Sequence, residues 1–443
     1  MQVIAENGRY KPFTDYRILT AADGVTGKFD KVTTNFAFLK PSLGYDANNV
    51  VLTLEQRAAF NSAAQSSNQS GVADAVEALG RGNPVFDAVI GQSVSGARQA
   101  FDALSGETHG SITGTALGGA MQTQNLLMGR LHRAGAGATG QGGAFQAAYA
   151  ADGPGPVQAD TIVLPQLDPR RFALWGEGFG SWGRADGTAN TAALDSSTGG
   201  FTLGAEARID GTYTLGLAGG FSRTTFDVAG RLSEGATETT FGVLYGAGAW
   251  GALNLRLGAL YAWHDIDVTR TISFPGFVDR ASASYDGSTV MAFAEIGYAV
   301  DLGQVRLEPF VSASALRLHT DRFQETGGPA ALTGFASTYD LGTTTLGLRT
   351  EARLGADLPV EVRGMLGWRH TFGDVNPTAL LAFAGGASPF AVAGAPVDRN
   401  AFVAEAGLDW SLASDTTLGI AYNGQIGARA HEHALKGNFI WRF

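Results

Sequence analysis

The feature that most constrains this chain is a period of two that persists from Arg171 to Phe443. In the stretch ALNLRLGALYAW, Leu253, Leu255, Leu257, Ala259, Tyr261 and Trp263 share one parity, while Asn254, Arg256 and Gly258 share the other. The chain closes on LKGNFIWRF, where Leu435, Gly437, Phe439, Trp441 and Phe443 oppose Lys436, Asn438, Ile440 and Arg442. Alternation of this kind describes a strand with two unlike faces. Twelve such segments fall near 171–182, 198–209, 212–222, 236–248, 251–264, 284–300, 303–318, 338–354, 358–370, 399–411, 414–425 and 431–443. Several reach the roughly 9–11 residues that cross a bilayer at a tilt, and the number is even.

The connections alternate in length. Asp210-Gly211, Trp250-Gly251, Leu302-Gly303, Ala356-Asp357 and Ser414-Asp415 sit in or beside tight turns, and longer segments are expected at 183–197, 223–235, 265–283, 319–337 and 371–398. Trp182, Trp263, Trp368, Trp410 and Trp441 lie near strand ends, as aromatic girdles do. The expected fold is therefore all-β: a 12-stranded antiparallel transmembrane β-barrel over 171–443, its short turns periplasmic and its long loops extracellular.

The polar parity of these strands carries Glu206, Arg208, Arg256, Glu295, Arg306, Glu308, Arg349, Glu351, Arg353, Glu361, Arg363, Glu405 and Asp409. Charges facing hydrocarbon are costly, so this parity belongs to a lumen, which twelve strands leave wide enough for one helix or one extended chain. Two readings of the charges stay open: a hydrophilic translocation channel plugged by the linker helix near 111–133, or pairing that only holds the barrel's shape.

Composition agrees. Charged residues are 16% and Gly numbers 62 of 443, about twice its usual share. No run approaches eighteen apolar residues, so no transmembrane helix is expected. The net charge of −10 gives no support to nucleic-acid binding. Zero cysteines exclude disulfides, thiolate metal sites and cysteine nucleophiles. The seven histidines form no H-E-x-x-H helix, and no G-x-S-x-G elbow appears, so neither a metal, a cofactor nor an enzymatic site is expected. His431 and His433 are two apart on the last strand, a spacing that favours a solvated strand end over a metal pair.

Ahead of the barrel, residues 1–60 read as short strands and turns, suited to the last rungs of a parallel β-helix. The opening MQVIAENGRY has no basic or apolar leader, and the expectation is that upstream sequence is missing. Residues 61–170 form a helical linker followed by a Gly/Ala spacer. Val76, Leu79, Val85 and Val89 carry helical spacing, as do Ala97, Phe101 and Leu104, with Gly106 as a stop. A second helix is expected near 111–133, with Ser111 as N-cap and Arg130, His132 and Arg133 suited to its C-terminus. Gly135, Gly137 and Gly140 match a dinucleotide fingerprint by spacing only; no strand precedes them.

Three stretches resemble the classical (type Va) autotransporters. The end of the family's passenger is matched by Tyr16, Ile18, Leu19, Gly24, Val25, Gly27 and Phe29, then Phe38, Leu39, Pro41, Leu43, Tyr45, Asp46, Asn49, Val50, Leu52 and Leu54. ARQAFDALSGETHGS resembles the family's linker phrase "AFDALSGE-x-H". The closing strands resemble its "W-x-H-x-F-G-D…E-A-G-L-D" and "Y-x-G-Q-x-G…H-x-x-K-x-x-x-x-W-x-F" patterns, from Trp368 to Phe443. The resemblance implies an outer-membrane translocator of a Gram-negative bacterium that exports and anchors its own N-terminal passenger at the cell surface. It implies contact with outer-membrane lipid, the barrel assembly machinery and periplasmic chaperones, a monomeric barrel, and an assembly signal in Phe439, Trp441 and Phe443. The rival expectations are an adhesin or structural protein using the barrel as an anchor, and a diffusion porin. One branch of the family cuts its passenger free in the pore at an Asn-Asn pair; the only such pair here, Asn48-Asn49, lies in the front segment, so no in-pore cleavage is expected.

Overall fold

The computed structural model describes residues 1–4, 14–136, 171–209, 211–354 and 358–443. The spacer from 137 to 170, the first residues of the front motif (5–13), Asp210 and the Ala356-Asp357 turn lie outside the described residues.

Strands β1 (Thr14–Thr20), β2 (Leu39–Tyr45) and β3 (Asn49–Gln56) form a sheet in the order β1-β3-β2. Parallel pairing in this region is confined, among the described residues, to Gln2–Val3 with Thr33–Thr34. The β2–β3 pair is antiparallel because a tight turn joins it: Asp46 Oδ1 accepts from the backbone N–H of Asn48 (2.8 Å) and Asn49 (2.7 Å). Those bonds also hold the exposed Asp46 carboxyl below its ordinary pKa.

Helices α1 (Ser67–Leu79), α2 (Pro84–Ile90) and α3 (Val94–Leu104) follow, each opened by a side-chain cap from Ser66, Asn83 and Ser93. Helix α4 (Glu107–Ala136) has 30 residues and is about 45 Å long. It begins at Glu107, not at Ser111 as expected. Gly106 takes φ +64°, which ends α3 and turns the chain directly into a new helix, and Glu107 N–H donates to Ser105 Oγ at 3.3 Å.

Twelve antiparallel strands then close a barrel: β4 (Phe172–Ala185), β5 (Leu194–Ile209), β6 (Tyr213–Val228), β7 (Ser233–Trp250), β8 (Leu253–Phe274), β9 (Phe277–Tyr298), β10 (Val305–Thr320), β11 (Ser337–Arg353), β12 (Val360–Gly373), β13 (Asn400–Ser411), β14 (Thr416–Gly427) and β15 (Ala430–Arg442). The last strand pairs with the first, Phe439 opposite Gly176 and Lys436 opposite Phe179. Phe172 and Phe443 exchange both backbone hydrogen bonds at the seam. Closure removes both sheet edges.

The loops expected over 223–235 and 265–283 are largely strand: β6–β9 run through most of both. The alternation does not stop there but reverses polarity. On β8, Leu253, Leu255, Leu257, Tyr261 and Trp263 point outward; beyond Trp263 the outward residues are Asp265, Asp267, Thr269 and Thr271, and the inward ones are Ile266, Val268, Ile272 and Phe274 with one buried cation, Arg270. The stretch from Leu253 to Trp263 spans about 26 Å at a rise of about 3.4 Å per residue and a tilt of about 40°, close to the apolar height of an outer membrane. Trp182, Trp263 and Trp368 mark the upper girdle, and Trp250, Trp410 and Trp441 the lower one, all facing outward.

Two apolar cores result. The upper one joins Phe60, Val76, Phe86, Val89 and Phe101 of the front segment to Phe226, Ile266, Ile272 and Phe274 of the strand extensions and to Leu332, Leu381, Phe390 and Val392 of the inward-folded loops. These extensions and loops make a crown around the barrel mouth. The lower core lies inside the barrel, where Leu117, Leu126, Leu127 and Leu131 of α4 meet Trp175, Phe179, Phe241, Tyr245, Phe293 and Leu318 of the wall.

Candidate functional site

The lumen is the candidate site, and α4 fills much of it. Its first turn is held in the crown and its last turns reach the periplasmic half of the wall. In the middle of the lumen apolar side chains of α4 meet wall aromatics beside hydroxyls such as Ser222, Thr224 and Thr237 and the Arg369 guanidinium, and most of the paired charges collect in a band toward the periplasmic rim.

In that band Arg130 pairs with Glu206, Arg133 with Glu177 (2.9 Å), and His132 Nε2 lies 2.8 Å from Glu295 Oε1. Around His132, Arg256 contacts Glu295 and Glu308 (3.0 and 2.5 Å), and Arg349 contacts Glu295 (2.7 Å). Arg363 faces Asp409 (3.3 Å) and Glu405 (3.8 Å). His132, Glu295 and Glu308 bring ligand-type atoms within 4.8 Å of one another. The guanidinium groups of Arg256 and Arg349 already balance both carboxylates, so this cluster keeps no net charge to draw in a cation.

Of the residues expected in the lumen, Glu206, Arg256, Glu295, Glu308, Arg349, Glu351, Arg363, Glu405 and Asp409 thus face it. Arg208, Arg306 and Glu361 stand nearer the periplasmic rim, where Arg306 pairs with Asp301 (3.6 Å), and Arg353 is exposed there. Sequence reasoning misses Glu177, a single carboxylate among glycines on β4, and Arg369, whose guanidinium donates to Asn125 Oδ1 and Gln425 Oε1 at 2.9 Å each. It also gives Arg130 and Arg133 only a helix-end role, where the wall supplies each with a specific carboxylate. Beside α4, a narrow cleft remains along β10–β14, its polar lining including Asn125, Glu351, Arg363, Arg369 and Glu405.

At the other end, Glu107 accepts from Arg231 Nε (2.9 Å) and from the Ala192 N–H. His109 lies between Tyr285 Oη (3.1 Å) and Glu325 Oε1 (2.8 Å), and Phe323 packs on both rings. Arg270 donates to both oxygens of Glu325, at 2.7 and 2.8 Å, and Leu332 N–H donates to one of them at 2.8 Å. Burial pushes the His109 imidazole down against the partial opposition of Glu325, and pushes the Glu107 carboxyl up. Burial alone would raise Glu325; the Arg270 charge and the His109 bond outweigh it and hold that carboxyl well below its usual range.

Known proteins place this architecture. Residues 174–423 match the family model "Autotransporter beta-domain". Two curated relatives from Serratia marcescens, each named "Extracellular serine protease", are 31% identical over 458 and 459 residues. Each alignment covers 97% of this chain but 43% of the relative, so the chain spans less than half the length of the curated relatives it matches. The translocator domain of autotransporter NalP from Neisseria meningitidis shares the fold with a TM-score of 0.53 at 16% identity, over 75% of this chain and 98% of that one. The helix-filled 12-stranded barrel, the family match and the long alignments lead to one conclusion: the chain belongs to the autotransporter family.

Proposed function

We propose that this chain is an outer-membrane translocator that carries its own N-terminal passenger outward and keeps it at the cell surface. One observation carries the reading. Helix α4 is threaded through the lumen with its start in the extracellular crown, at the Glu107–Arg231 pair, and its end at the periplasmic band, at the Arg133–Glu177 pair. That is the polarity of a chain whose front has already passed outward. In this reading residues 1–60 are the end of the passenger, 61–170 the linker, and 171–443 the barrel. The paired lumen charges seat the linker, and the 12-stranded ring needs no second copy to close.

The second reading, a diffusion porin, is disfavoured by the lower core, in which four leucines of α4 pack against wall aromatics. Deleting 107–136 is expected to convert a poorly conducting barrel into an open one in planar bilayers, and residues 14–104 should be open to protease on intact cells. Unchanged conductance, or a front segment protected in intact cells, would overturn the proposal. The protease name belongs to the Serratia relatives. We assign no catalysis to these 443 residues, and a protease passenger ahead of Met1 is a reading that the upstream coding sequence tests directly. No in-pore cleavage is proposed, and a purified barrel fragment beginning at 118–134 would contradict that.

Phe439 and Trp441 on β15 and Phe443 just past its end are exposed on the outward side, which fits an assembly signal read by the barrel assembly machinery with periplasmic chaperones upstream. Deleting Phe443 should lower the heat-modifiable fraction recovered from membranes without lowering synthesis.

A further inference from the structure

Five of the six residues in Gly106–Ser111 meet a specific feature of the crown. Gly106 is left-handed, and a Cβ there would meet Leu332 Cδ1 at 2.5 Å and Leu381 Cδ1 at 2.8 Å. Glu107 is matched to Arg231, and His109 to Glu325 and Tyr285. Gly110 backs onto Gly394, where a Cβ would come within 2.8 Å of the Gly394 nitrogen. Ser111 Oγ accepts from Ala395 N–H at 3.1 Å. Steric, acidic, imidazole, steric and hydroxyl requirements therefore follow one another within six residues, imposed by Arg231, by the 323–334 loop with Leu381, and by Gly394-Ala395.

Between Gly114 and Gly119 α4 carries no such code. A Cβ added at Gly118 or Gly119 meets nothing within 4 Å, and Gly114 meets only Ala395 O at 3.8 Å. A shift of one residue moves a helix by about 1.5 Å and turns it by about 100°. Such a shift would take Glu107 from Arg231 and His109 from Glu325, although Glu325 keeps both Arg270 bonds, and it would also part the lower pairs Arg130–Glu206 and Arg133–Glu177 unless the helix yields between its two ends. Leaving a buried charge unpaired is among the costliest changes a core can suffer.

We propose that Gly106–Ser111 is a stop signal that fixes where the linker halts in the barrel, with Glu325 and Arg231 as the positioning residues that recognise it. The proposal rests on the translocator reading above. It assigns the halt to the crown end of α4, whereas ion pairing at the periplasmic band would place it at the other end.

The absence of native cysteine makes the register directly measurable. Gln122 of α4 touches Ser181 of β4, with Oε1 and Oγ 3.4 Å apart, so a Gln122→Cys/Ser181→Cys pair reports native register by disulfide formation. One alanine is then inserted between Gly118 and Gly119. If the crown sets the register, contacts above the insertion persist, the original pair stops cross-linking, and a Met121→Cys/Ser181→Cys pair cross-links in its place. If the original pair still cross-links, the lower ion pairs set the register and the proposal is overturned. In the uninserted pair background, Glu325→Ala should replace the single cross-link by several registers, and His109→Gln, which can still donate to Glu325, should preserve it. A single native register in Glu325→Ala would also overturn it. Heat-modifiable mobility confirms that each barrel is closed. Protein refolded in detergent reports register without export, so a failure of the export reading is seen separately, in whole cells.

Discussion

The two halves of β8 obey opposite rules. From Leu253 to Trp263 the apolar parity faces outward and the polar parity inward; from Asp265 to Phe274 the same strand, with the same pleat and register to β9, buries its apolar parity and exposes Asp265 and Asp267. Nothing in the backbone marks the change. The surroundings do: lipid lies outside the lower half, whereas water lies outside the upper half and a packed protein core inside it. A strand in this chain records where the membrane ends as a reversal of parity.

The sharpest test of the upper half is a core deletion. Ile272→Ala, at a fully buried inward position, is expected to cost about 2–5 kcal/mol, read as a drop in the denaturation midpoint of the crown. A cost typical of an exposed site would mean that the upper parity is misassigned. Next in size is a charge placed outward on either side of the girdle. Leu257→Arg should cost about 2–4 kcal/mol when folding into vesicles is measured by urea titration. Ser284→Arg, outward on β9 opposite Asp267, should stay within about 0.5 kcal/mol. Similar values at the two sites would erase the boundary drawn at Trp263.

A smaller effect follows from His109. Its imidazole titrates lower in the folded protein than in the unfolded chain, so the unfolded chain binds more protons just below about pH 6.5. Stability contributed by this group is complete above that pH and declines as pH falls, by at most about 1.4 kcal/mol per unit. Glu107, raised by burial, slopes the other way, so the informative measurement is the difference between native protein and His109→Gln: only the native protein should carry the added acid loss. Smallest of all is Arg317→Ala. Arg317 donates to both oxygens of Asp340 at 2.7 and 2.9 Å, yet the pair is solvent-exposed above the girdle, and the folding midpoint should not move.

This reversal also explains which parts of the fold are legible in the residues alone. The twelve strands are, because lipid demands a continuous apolar parity in every one of them. The extensions of β6–β9 are not, since a search for apolar-outward alternation ends where Asp265 takes the place of a Leu. The lumen charges are legible as a set, because Arg349 and Glu351 on one parity of a membrane strand have no lipid-facing use. Their partners are not. Arg133 with Glu177 spans 44 positions and His109 with Glu325 spans 216, and no local pattern links them. Ser111 reads as a cap because Ser before an apolar run is a sound local signal; the crown instead uses its hydroxyl to accept from Ala395, and Gly106 starts the helix earlier.

The seam between Phe172 and Phe443 sets an order in time. The two residues that exchange its final hydrogen bonds are 271 positions apart (443 minus 172), so the ring's first strand must wait for a partner made long after it. Until Phe443 arrives, β4 remains an open edge with unpaired N–H and C=O groups, which hydrocarbon does not tolerate. Bringing together segments so far apart is among the slowest steps a chain of this size can take. A ribosome that stops before β15 therefore makes not a slightly weaker pore but a sheet that has no ring to close.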